Sequence, residues 1–290
     1  IILIILFNLF SMKAKAGYQY GFLRKSLKFF VNLLSTILFL KKSTLYSNEF
    51  IQSISLKETV NFDGKKIIFK TGHNRLSSRV KNFFTDEPLM VEWLKKFNDK
   101  DVFLDIGANV GSYTIAALSK GSYVYSLELD LNNSATLFEN IFLNKLLDKC
   151  VILPFGVGQK TAIENIYYRD FTVGDCLQSI GNEPKIPTAK MNPFQMHQPI
   201  FKLDEIFDIF SLKKPNKIKI DVDGNEKFVF EGGRKTILAA DEIYYEDIGS
   251  EEDQYIIEEI LKNNFKILSE IPATNRLKDR NDRNILFKKY

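Results

Sequence analysis

Short apolar runs of strand length alternate with helix-length segments along most of this chain, and that alternation restricts the fold more than any other feature. Residues 102–106, 123–127, 151–154, 218–220 and 243–246 read as strands. The spacing between and after them predicts helices over about 111–119, 131–146, 226–239 and 251–263. Strands separated by helices pair in parallel through right-handed crossovers, so the expected core is a mostly parallel, doubly wound sheet. Residues 265–271 and 284–288 supply its closing strands, one of them antiparallel. Ahead of the sheet, two short strands flank Asp63-Gly64, a hairpin dipeptide. Asp86-Glu87-Pro88 then opens a helix bearing Leu89, Trp93, Leu94 and Phe97. Residues 171–198, rich in Gly, Pro, Asn and Gln, form the long irregular segment and are expected to act as a lid or specificity insert.

Charge separates a leader from this body. The chain of 290 residues carries 40 Lys and Arg against 36 Asp and Glu. Seven bases against one acid, Glu49, leave residues 1–50 at +6, and the remaining 33 bases and 35 acids leave residues 51–290 at −2. Two apolar runs lie in the leader. The first has no initiator Met before it, so the chain reads as a fragment or a misplaced start, and no signal-peptide order follows. The second, residues 29–40, sits between Lys28 and Lys41-Lys42. As a helix it would reach roughly 18 Å against the ~30 Å of a bilayer core. An interfacial helix on an anionic membrane surface, or a helix packed on the body, are the two expectations. The body is placed in the cytoplasm, peripheral to the inner membrane face at most. Two Cys and two His make no zinc pattern and no disulfide scaffold.

The strongest chemical signal is Asp105-Ile-Gly107-Ala-Asn109-Val-Gly111, where the first strand gives way to a helix. Gly107 permits a tight turn and lets a ligand touch the backbone. Gly111 opens a helix whose first N–H groups have no partner within the helix. Glu128 stands 21 positions beyond Gly107, at the end of the next strand, where an acid can grip ribose hydroxyls. The three-glycine spacing of a dinucleotide site is not met, and Asp105 would repel a phosphate. An acid there suits a cationic ligand such as S-adenosylmethionine, or only hydrogen-bonds the turn's own N–H groups. The second signal, Lys219-Ile-Asp221-Val-Asp223-Gly-Asn225-Glu226, again closes a strand and opens a helix. Asp221, Asp223 and Glu226 reach the same rim, where one could act as general base or two could hold a divalent cation. The segment lacks the remaining ligands of a calcium loop. Asp223 or Asn225 is also a candidate N-cap.

Together the segments FLDIGANVGSYTIAAL (103–118), VYSLELD (124–130), FKLDEIF (201–207) and IKIDVDGNEKFVFEGG (218–233) resemble the FkbM-type S-adenosylmethionine-dependent methyltransferases. The similarity runs over about 80–288 and takes in YYED (244–247) and RNILFK (283–288). Leu129, where that family commonly has Pro, and Phe155-Gly-Val-Gly158 depart from its pattern. The resemblance implies a Rossmann-like class I methyltransferase fold over residues 51–290. It implies S-adenosylmethionine as cofactor and O-methylation of a hydroxyl on a sugar, glycan or similar small acceptor. Asp105, Gly107, Ala108, Asn109, Gly111, Tyr113 and Glu128 would hold the cofactor, and Asp221, Asp223 and Glu226 would face the reaction; no residue is assigned to a metal. Asp221 or Asp223 is the expected base, with His197 in the irregular segment as rival and His73 behind it. Cys150 and Cys176 read as plain thiols. A nicotinamide-dependent oxidoreductase, and a non-catalytic module tethered by the leader, are the alternative classes. A nucleic-acid acceptor is not expected, because the body is net acidic and has no basic stripe.

Overall fold

The structure, a computed structural model, describes residues 56–72, 74–176, 178–181, 193–272 and 282–290. All lie in the unit Leu56–Tyr290. The leader and His73 lie outside the described residues. Among the described residues no helix is long and apolar enough to cross a membrane.

Strands β1 (Lys57–Phe62) and β2 (Lys65–Lys70) form the antiparallel hairpin. Asp63 and Gly64 both take positive φ at its turn, as the dipeptide demands. Helix α1 (Asn74–Lys81), which the sequence did not announce, follows, and then α2 (Pro88–Lys95). Pro88 begins α2 and Glu87 occupies its N-cap position without a side-chain capping bond, so the Glu87 carboxylate is available elsewhere.

The central sheet is built from β3 (Val102–Ile106), β4 (Tyr123–Leu127) and β5 (Cys150–Leu153), with helices α3 (Ser112–Lys120) and α4 (Leu131–Leu143) between them. A four-stranded sheet intervenes: β6 (Gly156–Val157), β7 (Ala162–Tyr168), β8 (Ser179–Ile180) and β9 (Phe194–Phe201), in the order β6-β9-β7-β8. Helix α5 (Leu203–Ile209) leads back to the central sheet. There β10 (Lys217–Ile220), α6 (Glu226–Ala239), β11 (Glu242–Asp247), α7 (Glu251–Lys262), β12 (Phe265–Pro272) and β13 (Arg283–Lys289) complete the order β12-β13-β11-β10-β3-β4-β5. All pairings are parallel except those of β13 with β11 and β12. This is the mostly parallel, doubly wound sheet with an antiparallel closing strand.

Alternation along β3 shows why helices cover both faces. Val102, Leu104 and Ile106 pack with residues of α5, α6 and α7, such as Phe207, Phe230 and Ile256. Phe103 packs the other way, with Trp93, Ile115 and Ile141 of α2, α3 and α4. The chain order runs from β3 outward to β5, then restarts at β10 on the other side. The C-terminal ends of β3 and β10 therefore flank a topological switch point, where open α/β sheets bind ligands.

The irregular segment expected over 171–198 is shorter than the composition suggested. Residues 194–198 belong to β9, and His197 is exposed there opposite Asn165. Phe194, Met196, Gln198 and Ile200 alternate inward, and the ladder to β7 overrides the turn-forming composition.

Candidate functional site

The chain turns sharply after β3. The N–H groups of Gly107 and Ala108 both donate to the Leu127 carbonyl at 3.0 Å, tying the loop to the end of β4. Asn109 takes a left-handed φ of 51°, tolerable for Asn, and donates its N–H to Glu128 Oε2 at 2.6 Å. Its side-chain amide donates to the Asp175 carbonyl at 2.9 Å. Glu128 Oε1 accepts the Asp130 N–H at 2.7 Å. Burial pushes the Glu128 carboxyl up to about 7, against those two N–H donors. Gly107 serves packing as well as turning. At φ +81° an added Cβ would meet the Asp221 carbonyl oxygen at 1.9 Å, so only glycine lets the loops after β3 and β10 touch. Gly111 likewise yields its space to Leu137.

Asp105 lies beneath this loop, wholly buried. Its Oδ2 accepts from Thr114 at 2.7 Å, and its Oδ1 stands 3.5 Å from the Lys219 ammonium. Register explains the meeting: Asp105 and Lys219 are direct partners across β3 and β10. Lys219, 1% exposed, also stands 3.1 Å from Asp221 Oδ2 and donates to the Gly107 carbonyl at 3.3 Å. Burial disfavours its charge, but the fields of Asp221, Asp105 and Glu87 outweigh burial and hold the ammonium protonated. The cation that Asp105 faces is thus supplied from within the protein.

The second motif forms the turn after β10, with Asp223 and Gly224 at positive φ. Glu226 reaches back over it, accepting the N–H groups of Val222 at 3.1 Å and Gly224 at 2.8 Å. Burial pushes its carboxyl up to about 8. Asn225 stands at the N-cap position of α6 but makes no capping bond; its amide ties the Gln178 and Val222 carbonyls instead. Asp221 and Asp223 remain on the wall of the cleft.

The cleft holds about 840 Å³ of space open to solvent at its mouth. Gly107, Asn109, Glu128, Asp221 and Asp223 line it, whereas Asp105, Ala108, Gly111, Tyr113 and Glu226 are not among its lining residues. Three lining residues were missed by sequence reasoning. Glu87 accepts from the Tyr244 hydroxyl at 3.1 Å, and burial, with the nearby Asp221 charge, pushes its carboxyl up to about 7. Arg79 of α1 reaches the cleft and donates to the Gly174 carbonyl at 2.8 Å. Cys176 also lines it, its thiol pushed up to about 12 by burial and so unreactive. Beside the cleft, Glu246 brings a carboxylate oxygen to within 4.8 Å of those of Asp221 and Asp223. An acid at the carboxyl end of a parallel strand was the available signal for it.

The Methyltransferase FkbM domain matches residues 105–268. No curated protein matches the chain. Among solved structures, the methyltransferase FkbM from Methylobacillus flagellatus KT is similar at 17% identity and TM-score 0.47, over 67% of this chain and 44% of that one. Trm5b from Pyrococcus abyssi is similar at 14% identity and TM-score 0.44, over 81% of this chain and 56% of that one. TYW2 of M. jannaschii, in complex with AdoMet, is similar at 12% identity and TM-score 0.44, over 81% and 87%. The chain thus spans about half the length of the first two.

Proposed function

The chain belongs to the FkbM methyltransferase family, whose cofactor is S-adenosylmethionine, and on that premise we propose that it methylates a hydroxyl oxygen of a sugar, glycan or similar small acceptor. The observation that carries this reading is the pair of carboxylates, Asp221 and Asp223, on the cleft wall across β3 from Glu128.

The residues present fit the cofactor. Glu128, at the end of β4, suits ribose hydroxyls, and Leu129, Phe155 and Val157 offer an apolar wall for the base. Bound there, S-adenosylmethionine supplies a methyl group activated by its sulfonium. The protein aligns the acceptor and removes a proton, and alignment contributes most of the acceleration. Asp221 is held by the Lys219 ammonium 3.1 Å from its Oδ2, and orients the acceptor hydroxyl by accepting its hydrogen bond. Asp223, on the turn that Glu226 braces, takes the hydroxyl proton. The net acidity of residues 51–290 favours a small acceptor over a polyanionic one.

Methyl-labelled S-adenosylmethionine, presented with free sugars, oligosaccharides and tRNA, tests the reading. Label on a hydroxyl oxygen of a small acceptor is expected. Label on nitrogen, or in tRNA alone, would contradict it.

A further inference from the structure

We propose that the C-terminal ends of β10, β11 and β13 form a binding site for one hard divalent cation, of the Mg²⁺ or Mn²⁺ class, built from Asp221, Asp223, Glu246 and Asn284. The three acids each offer an oxygen, all within 4.8 Å of one another. Opposed ligands on such a cation stand roughly 4.2 Å apart for Mg²⁺ and about 4.6–5.2 Å apart for Ca²⁺, twice the metal–oxygen bond. The spread therefore matches a cation's coordination sphere with slight tightening. The donors are oxygen only, which selects a hard ion over zinc or copper.

Asn284 points to a ligand independently of the acids. It is 2% exposed, yet its Oδ1 has no hydrogen-bond partner among the described residues. Leaving such an atom unmatched costs about 1–3 kcal/mol, so buried acceptors are ordinarily satisfied. Register fixes where it lies. Asn284 is the direct antiparallel partner of Glu246, so both side chains leave the same face of the sheet, with Cβ atoms roughly 4.5–5.5 Å apart. Ile220 pairs with Tyr245, which sets Asp221 level with Glu246 one residue on. Asp221, Glu246 and Asn284 thus make one row across three neighbouring strands, and Asp223 caps it from the turn. Asp282, two residues before Asn284, is 4% exposed and also without a hydrogen-bond partner among the described residues, but its oxygens do not join the group formed by Asp221, Asp223 and Glu246. Lys219 stands one step back along the face, between Asp105 and Asp221 Oδ2.

A cation here borders the cleft wall that carries Asp221 and Asp223. Its part in the reaction rests on the reading above: it would bind the acceptor hydroxyl and make its proton easier to lose. Asp223 would then hold the cation through one carboxylate oxygen and leave the other to take the hydroxyl proton.

Mn²⁺ titrated into the full chain, followed by electron paramagnetic resonance of the free ion and by calorimetry, tests the site without any acceptor. One Mn²⁺ per chain is expected, with affinity weakened at least about tenfold in Asp223→Asn and in Asn284→Ala. Glu246 is buried, so Glu246→Gln is read only where its thermal melt remains cooperative; the more accessible Asp223 variant keeps the test decisive if it does not. No binding at millimolar Mn²⁺, or binding that both variants leave unchanged, would overturn the site. Methyl transfer insensitive to EDTA while Mn²⁺ still binds would uphold the site and overturn its part in the reaction. Metal binding with no methyl transfer to any acceptor would fault the reading of function and leave the cation site standing.

Discussion

Lys219→Met removes the buried ammonium that joins the two sequence motifs. Lys219 is 1% exposed and Asp105 is 0% exposed, so water cannot replace the lost charge beside Asp105. Breaking a buried pair by deleting one partner costs about 3–5 kcal/mol, far more than the pair adds when intact. Part of that cost falls on the Gly107 carbonyl, which loses its 3.3 Å donor. Asp221 suffers less, since its side chain keeps 17% exposure and can be rehydrated. For a unit of this size each kcal/mol moves the midpoint by roughly 2–4 °C, so the melt should fall by about 6–20 °C. Urea unfolding followed by circular dichroism gives the free energies for Lys219→Met, Asp105→Asn and the double variant. The double variant should lose less than the sum of the singles, with a coupling of about 1–3 kcal/mol, because it leaves no carboxylate stranded at position 105. A loss below about 1 kcal/mol for Lys219→Met, or strict additivity, would refute the claim that the two charges support each other.

The remaining expectations concern pH, packing and the leader. Glu128 is raised to about 7 and must be ionised to accept ribose hydroxyls, so cofactor affinity should fall as pH drops below 7; calorimetry in buffers of different ionisation enthalpy should show proton release on binding near pH 6.5, and pH-independent affinity would contradict this. Glu226 is raised to about 8, above its unfolded value; its contribution to stability is therefore fully present near pH 4, and is lost as pH rises through 8. Glu226→Gln should flatten part of that slope in urea melts, and an unchanged slope would count against the burial argument. Gly232→Ala should destabilise the fold by about 1–3 kcal/mol, because an added Cβ would lie 1.8 Å from the Gly158 carbonyl oxygen; an unaltered melt would mean the α6 contact yields freely. Deleting residues 1–50 should abolish co-sedimentation with anionic vesicles, and retention of binding would move any membrane contact to the body.

Features carried by short-range pattern were legible in the sequence. The strands of the central sheet, the Asp63-Gly64 hairpin and the glycine loop after β3 all follow from period, turn chemistry and the strand–glycine–helix order. Direction was not legible. Glu226 lies at the rim as expected, yet its carboxylate turns back onto the N–H groups of residues 222 and 224 rather than into the cleft. Asp105 was read as one of the acids at the rim, but it is buried against Lys219, a partner remote in sequence that reaches it only through the register of β3 with β10. Asn225 likewise occupies the capping position without capping, because Gln178 and Val222 claim its amide. The β6–β9 sheet was missed for a different reason. Pro and Gln within β9 mask a period of two that only the ladder to β7 makes decisive. Glu87, Arg79 and Glu246 reach the site from three separate elements, and no local motif links them.

S-adenosylmethionine is proposed to occupy the cleft between β4 and β10, with Glu128 as its anchor. Isothermal titration of the full chain with S-adenosylmethionine, NAD and NADP tests it most directly. Saturable one-to-one binding of S-adenosylmethionine is expected, with none of either nicotinamide nucleotide and loss of the signal in a folded Glu128→Ala variant. Binding of NAD or NADP without S-adenosylmethionine, or undiminished binding in Glu128→Ala, would contradict it.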